Sequence, residues 1–226
     1  MTLVRHALAL AAKDLRSEIR TKEAINASFS FAMVILLLFS FAFEPTADEM
    51  RGMAGGLLWL IFAFSGVLVL NRSYAREVPN DCLDALLASP VSPAALFLGK
   101  ALANLVLIVA IEVVCFPVFG VFYNVRWTQQ LGPLALVTLL GTWGLVVVGT
   151  MFSALTVNIR LREVMLPLLV YTVMTPCLLA AMQVTGLLVS GEPLAGEAVV
   201  WLKFLIGFDL IFTSLALALV ETVMIS

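Results

Sequence analysis

Residues 71–100 read NRSYAREVPNDCLDALLASPVSPAALFLGK and form the longest polar interruption between two apolar runs of the chain. Asp81 is a candidate helix N-cap, with Asp84 three residues later, a weaker relative of the capping box. The short helix that follows has its leucines on one side and ends at a proline: Leu83, Leu86, Leu87 and Pro90. The pattern fits either a surface that receives a partner protein or a helix that only rests on lipid headgroups.

A second helix is predicted to begin within the same stretch. Ser92 followed by Pro93 gives the favoured order of a cap residue and then a proline at the first helical position. This helix is expected to run past Lys100 into the next apolar run.

Composition places the chain among integral membrane proteins. Of its 226 residues, 62% are hydrophobic and 12% are charged, whereas soluble domains carry about 25% charged residues. Crossing a bilayer takes about 20 apolar residues in a helix. Six stretches approach or exceed that length: 25–43, 53–70, 101–123, 132–153, 164–182 and 201–222. Together they predict a single all-α membrane domain over residues 1–226. The second is the shortest and is expected to borrow residues from its flanks.

Residues 3–24, within an N-terminal segment 1–24, are expected to form an amphipathic helix in the membrane interface. Apolar side chains follow the helical period at Val4, Leu8, Ala11, Leu15 and Ile19. Basic side chains lie on another face at Lys13, Arg16 and Arg20 and would face the anionic headgroups of the lipid bilayer.

The distribution of Lys and Arg predicts the orientation. An even number of spans puts both termini on one side, and that side would hold ten of the 13 Lys and Arg residues. Because basic residues accumulate in cytoplasmic loops, both termini are predicted to be cytoplasmic. The segment 71–100 would then be cytoplasmic too, in a multi-pass membrane protein.

Two acidic residues fall deep inside predicted spans, Glu112 in the third and Asp209 in the sixth. An ionised acid there costs at least about 2.5 kcal/mol, so each should be protonated, hydrogen-bonded or facing a polar cavity. No Lys or Arg is placed at the same depth. These acids are therefore either contacts for a substrate or a partner, or structural groups that fix helix packing.

Several kinds of site are missing from the sequence. A phosphate-binding P-loop needs G-x-x-x-x-G-K-[ST], but Ala94 and Ala101 stand where the first Gly and the hydroxyl residue would be. No pattern indicates a metal site, a catalytic set or a nucleic-acid partner. His6 is the only histidine and lies in the N-terminal helix, so histidine cannot ligate haem on the far side of the membrane. Methionine and cysteine remain open as haem ligands.

Several stretches resemble the CcmB family of cytochrome c maturation permeases, also called haem exporter protein B. They cover nearly the whole chain in the expected order: KDLRSEIRTKE (13–23), WLIFAFSGVLVLNRSYARE (59–77), LDALLASPVSPAALFLGK (83–100), IEVVCFPVF (111–119), GTWGLVVVGTMFSALTVNIRLREVMLPLL (141–169) and WLKFLIGFDLIF (201–212). One departure is Pro79-Asn80-Asp81, where the family usually has an Asp-Gly turn.

The resemblance implies the permease half of an ABC-type complex, not an enzyme. Its ATPase, CcmA, would bind ATP and dock at the short helix around Asp81–Leu87, with CcmC, CcmD and the haem carrier CcmE as further partners. Permease halves usually work in pairs. Arg76, Glu77 and Lys100 would orient the coupling segment at the membrane surface, and Glu112 and Asp209 would contact the substrate or CcmC.

The cargo step stays open between haem export and release of haem-loaded CcmE from CcmC. Without a histidine on the far side, we expect a mechanical role, with no cofactor bound by this chain and haem ligated by partners. The competing hypotheses are a static scaffold for the maturation proteins and an ABC permease for a non-haem substrate.

Overall fold

The computed structural model describes residues 2–42, 48–78, 86, 91–124, 127–157 and 159–225. Within them the chain is a bundle of seven helices, and they contain no strand. The helices are α1 (Thr2–Thr21), α2 (Glu23–Ala42), α3 (Asp48–Asn71), α4 (Pro93–Phe122), α5 (Leu131–Thr156), α6 (Arg162–Val189) and α7 (Glu197–Ile225), with a short 3₁₀ turn at Trp127–Gln130. The predicted all-α membrane fold is confirmed.

Six of the helices, α2 to α7, are long and apolar enough to cross a membrane. Each corresponds to one predicted span, and the observed ends differ from the predicted ones by one to eight residues. The second span does borrow from its flank, because α3 begins at Asp48. We call the side that carries both ends of the chain the terminal side, and the other side the opposite side.

The start of α4 follows the predicted signal. Ser92 is the N-cap with an extended backbone, and its Oγ accepts a hydrogen bond from the backbone N–H of Ala95 at 3.3 Å. Pro93 occupies the first turn, where its missing N–H costs nothing. As expected, the helix then continues through Lys100 into the membrane.

Helix α1 packs against the first half of α4 through small side chains. Ala7 and Ala11 are buried there, and a Cβ added at Gly99 would lie 2.9 Å from the carbonyl oxygen of Ala7. Close approach of the two helices therefore depends on the missing side chain of Gly99. The predicted apolar stripe lies beside this contact, and its members Val4, Leu8 and Ile19 are exposed.

Trp59 joins three spans in the middle of the bundle. Its indole is fully buried, and Nε1 donates a hydrogen bond to Thr185 Oγ1 at 2.9 Å, which ties α3 to α6. The ring lies against Gly141 of α5, where an added Cβ would overlap the indole.

We predict that Gly141→Ala destabilises the purified protein by about 1–3 kcal/mol, because the indole has no free space to move into. Thermal unfolding in detergent measures the loss. Gly132→Ala on the same helix is the control, since a Cβ there meets no atom within 4 Å. Equal unfolding temperatures for the two variants would contradict this account of the core.

Candidate functional site

Lys100 is the centre of a buried ion-pair network on the terminal side. Its side chain is 2% exposed, and Nζ lies 3.1 Å from Asp14 Oδ2 and 2.9 Å from Glu77 Oε2. The ammonium also donates to the carbonyl oxygen of Ser73 at 2.8 Å, and it lies 5.2 Å from the centre of the Tyr74 ring. Two carboxylates and one carbonyl oxygen therefore surround the ammonium, which offsets the cost of burying the charge.

Glu77 lies between two lysines. Besides Lys100, it accepts a hydrogen bond from Lys13 Nζ at 2.5 Å, and the same ammonium lies 3.2 Å from Asp14 Oδ1. Burial lowers the pKa of Lys13, but the hydrogen bond to Glu77 and the charge of Asp14 raise it by more, so this pKa lies above its usual value. Lys13 therefore stays charged and joins α1 to the turn after α3.

Glu18 performs two tasks at the junction of α1 and α2. Its Oε1 accepts hydrogen bonds from the backbone N–H groups of Ala24 and Ile25, at 2.9 and 3.0 Å, and so caps α2. Its other oxygen pairs with Arg76. Lys22 has a positive φ of 55° and separates the two helices. One fully buried carboxylate thus holds two helix ends and the turn at residues 72–78 together.

An exposed pair, Arg72 with Glu23 at 2.5 Å, completes the network. Its positive and negative members are equal in number: Lys13, Arg72, Arg76 and Lys100 against Asp14, Glu18, Glu23 and Glu77. A cleft of about 190 Å³ lies among them. Because the charges balance, the network can be buried without an uncompensated charge.

Hydrogen bonds continue the network into the membrane between α4 and α5. Asn104 Nδ2 lies 2.9 Å from Ser73 Oγ and 3.0 Å from Thr150 Oγ1, and donates to both. About two helical turns further along α4, Glu112 accepts a hydrogen bond from Thr142 Oγ1 at 2.6 Å. The predicted acid of the third span is therefore buried and hydrogen-bonded to α5.

Asp209 lies on the other side of α5. A Cβ added at Gly144 would lie 2.8 Å from Asp209 Oδ1 and 3.2 Å from Cys177 Sγ, so the carboxyl and the thiol both rest against that glycine. Neither carboxyl oxygen has a hydrogen-bond partner among the residues the structure describes. Thr142 and Gly144 are two residues apart, about 200° around the helix, so the structure does not bring the two acids together.

The predicted coupling residues fall into two groups. Arg76, Glu77 and Lys100 belong to the network, where they hold the turn at residues 72–78 against α1 and α4. Of the short helix, only Leu86 is described, with a helical backbone and a half-buried side chain. The others lie outside the described residues: Asp81, Leu83, Asp84, Leu87 and Pro90.

The sequence prediction for α1, an interfacial helix, does not include its contribution to the network. Asp14 and Glu18 were not singled out, although with Ala7 and Ala11 they occupy positions i, i+4, i+7 and i+11 of one helix face. A stripe of small and acidic residues beside an apolar stripe was the available signal. It indicated basic partners for these acids, which are Lys100 of α4 for Asp14 and Arg76 for Glu18.

We predict that Lys100→Met destabilises the protein by about 3–5 kcal/mol, because it leaves Asp14 and Glu77 with less compensation in a buried site. Denaturant unfolding in detergent gives the value. Lys203→Met, at an exposed position on the opposite side, is the control and should change stability little. A similar small effect for both variants would show that the network adds nothing to the fold.

The similarity to known proteins extends over all seven helices. The sequence profile described as CcmB protein matches residues 5–224. A heme exporter protein B from Rhodobacter capsulatus is 31% identical over 171 residues, which are 76% of this chain and 78% of the relative. A heme exporter protein B from Pseudomonas aeruginosa is 25% identical over 209 residues, 92% of this chain and 93% of that protein. The match includes every described residue of the ion-pair network, and this chain belongs to the CcmB family.

Proposed function

We propose that this chain is the membrane subunit of a haem-export complex in cytochrome c maturation, driven by a partner ATPase of the ABC type, CcmA. Its relatives are named heme exporter protein B, and six of its helices are suited to crossing a membrane. Because the sequence lacks a P-loop, nucleotide chemistry falls to the partner. The complex would reside in the bacterial inner membrane, with the terminal side in the cytoplasm.

The observation that carries this proposal is the attachment of the segment 71–100 at its two ends. Glu77 and Arg76, just before the predicted docking helix, are bonded to α1, and Lys100, just after it, is bonded to Asp14 and Glu77. A partner that pushes on the middle of the segment therefore moves α1 and α4 as well as α3. A switch requires contacts that differ in free energy between two states, and nucleotide-dependent docking supplies that difference.

On the opposite side, the cycle makes haem available to the carrier CcmE. This step is either passage of haem along the chain or release of haem-loaded CcmE from CcmC, with CcmD in the same assembly. A static scaffold would need the same partners but no ATPase cycle, and a permease for another cargo would need no haem. The following variants separate the driven permease from the scaffold.

We predict that Arg76→Gln uncouples ATP hydrolysis from cytochrome c maturation, because it removes the partner of the fully buried Glu18. The complex is purified through a tag on this chain, its ATPase is identified by mass spectrometry, and hydrolysis and maturation are measured together. Arg72→Gln is the matched control on the same turn, since the pair of Arg72 with Glu23 is exposed and worth about 0–1 kcal/mol.

Normal maturation in the Arg76→Gln variant would refute coupling through the network. If the other maturation proteins co-purify but an ATPase never does, the chain is a scaffold.

The two intramembrane acids should differ in what they contribute. Glu112→Gln keeps an oxygen for Thr142 and should leave both stability and maturation close to normal. Asp209, which has no hydrogen-bond partner among the described residues, is the better candidate for contact with the substrate or CcmC. We predict that Asp209→Asn lowers maturation without lowering the unfolding temperature. Unchanged maturation would reduce Asp209 to a packing residue.

A further inference from the structure

A cleft on the opposite side, which we call the outer cleft, plays no part in the coupling network. It has a volume of about 570 Å³ and lies between α2, α3 and α6. This volume is within the usual range of small-molecule sites, about 300–1,000 Å³. The cleft therefore has room for a cargo at the end of the bundle remote from the proposed ATPase.

Glycines give the outer cleft a floor of bare backbone. A Cβ at Gly55 would lie 2.6 Å from the carbonyl oxygen of Met182 and 2.7 Å from the amide nitrogen of Gly186, so α3 and α6 touch there backbone to backbone. At Gly56 and Gly186, by contrast, a Cβ would meet nothing within 4 Å. Glycines that face open space allow a flat ligand to approach the backbone closely.

Two methionines line the same cleft, Met53 on α3 and Met182 on α6. They lie at similar depth, because Gly55, two residues after Met53, contacts the backbone of Met182. The apolar wall includes Phe39 and Leu57, and Gln183 and Ser190 supply polar groups. A thioether is a soft ligand that binds haem iron, and polar side chains can hydrogen-bond carboxylates.

We propose that the outer cleft is a transient haem-binding site in which the thioether of Met53, of Met182 or of both ligates the iron. The tetrapyrrole would lie against the glycine floor and the apolar wall, with its propionates near Gln183 and Ser190. This goes beyond the expectation that haem is held by partners alone, because the cleft supplies the methionine ligands that the absence of a suitable histidine left open. The choice of haem as the cargo rests on the proposed function.

An acyl chain of a lipid is the competing occupant of an apolar cleft in a membrane protein. It would use the apolar wall but would be indifferent to sulfur. Replacing methionine by leucine conserves volume and apolar character while removing the ligand. Methionine-to-leucine variants therefore distinguish iron ligation from partition of haem into an apolar groove.

The test is a haem titration of the purified full chain in detergent, followed by the Soret absorbance before and after reduction with dithionite, with protein-free micelles as the blank. We expect a thioether-ligated spectrum for the native chain, low-spin if both methionines ligate the iron and high-spin if only one does. Met53→Leu/Met182→Leu should lose that spectrum and bind haem at least about tenfold more weakly. Met33→Leu/Met165→Leu, two methionines that do not line the cleft, is the matched control, and equal unfolding temperatures establish that all three proteins are folded.

Binding that exceeds the micelle blank but is the same in all three proteins would overturn the proposal, and so would binding that never exceeds the blank. The titration needs no ATPase. Haem ligation without coupled ATP hydrolysis would support the haem site and refute the ATP-driven permease. Coupled ATP hydrolysis without haem ligation would support the driven permease and refute the haem site.

Discussion

The buried ammonium of Lys100 is the interaction on which the terminal side of this protein depends. It sits between Asp14 of α1 and Glu77 of the turn after α3, so it fixes two segments that are far apart in sequence against the start of α4. A charge buried this deeply is tolerated only because its partners surround it. The same requirement makes the arrangement specific, since displacing any one partner leaves another charge uncompensated.

This network fixes the two ends of the segment 71–100 relative to α1 and α4. The segment is attached at both ends, while α1 is held by Glu18 and by the close contact at Gly99. Helix α5 then divides the membrane interior, with Glu112 on one side and Asp209 on the other. The outer cleft lies at the far end of α3 and α6, which meet at Trp59 and at Gly55. If the segment 71–100 moves as proposed, the packed helix α3 connects it to the cleft.

Sequence patterns predict the parts of this structure that depend on local or composition-wide physics. Six apolar runs give six spans, and Ser92-Pro93 gives the start of α4, because bilayer thickness and helix capping act within a few turns. The partnership of Lys13 with Glu77 spans 64 residues and depends on how three helices pack, which periodicity does not encode. The separation of Glu112 from Asp209 likewise depends on which face of α5 each helix meets. The proximity of the two methionines in the outer cleft depends on the packing of Gly55 against α6, which sequence patterns do not predict.

Hydrogen–deuterium exchange of the Lys100→Met variant tests the central claim most directly, because it reports local opening segment by segment. If Lys100 joins the coupling segment to the N-terminal helix, peptides from residues 2–21 and from residues 72–78 will lose protection together, while those from α7 stay unchanged. If residues 72–78 open and α1 keeps its native protection, the network does not transmit force between them and the proposed coupling is wrong.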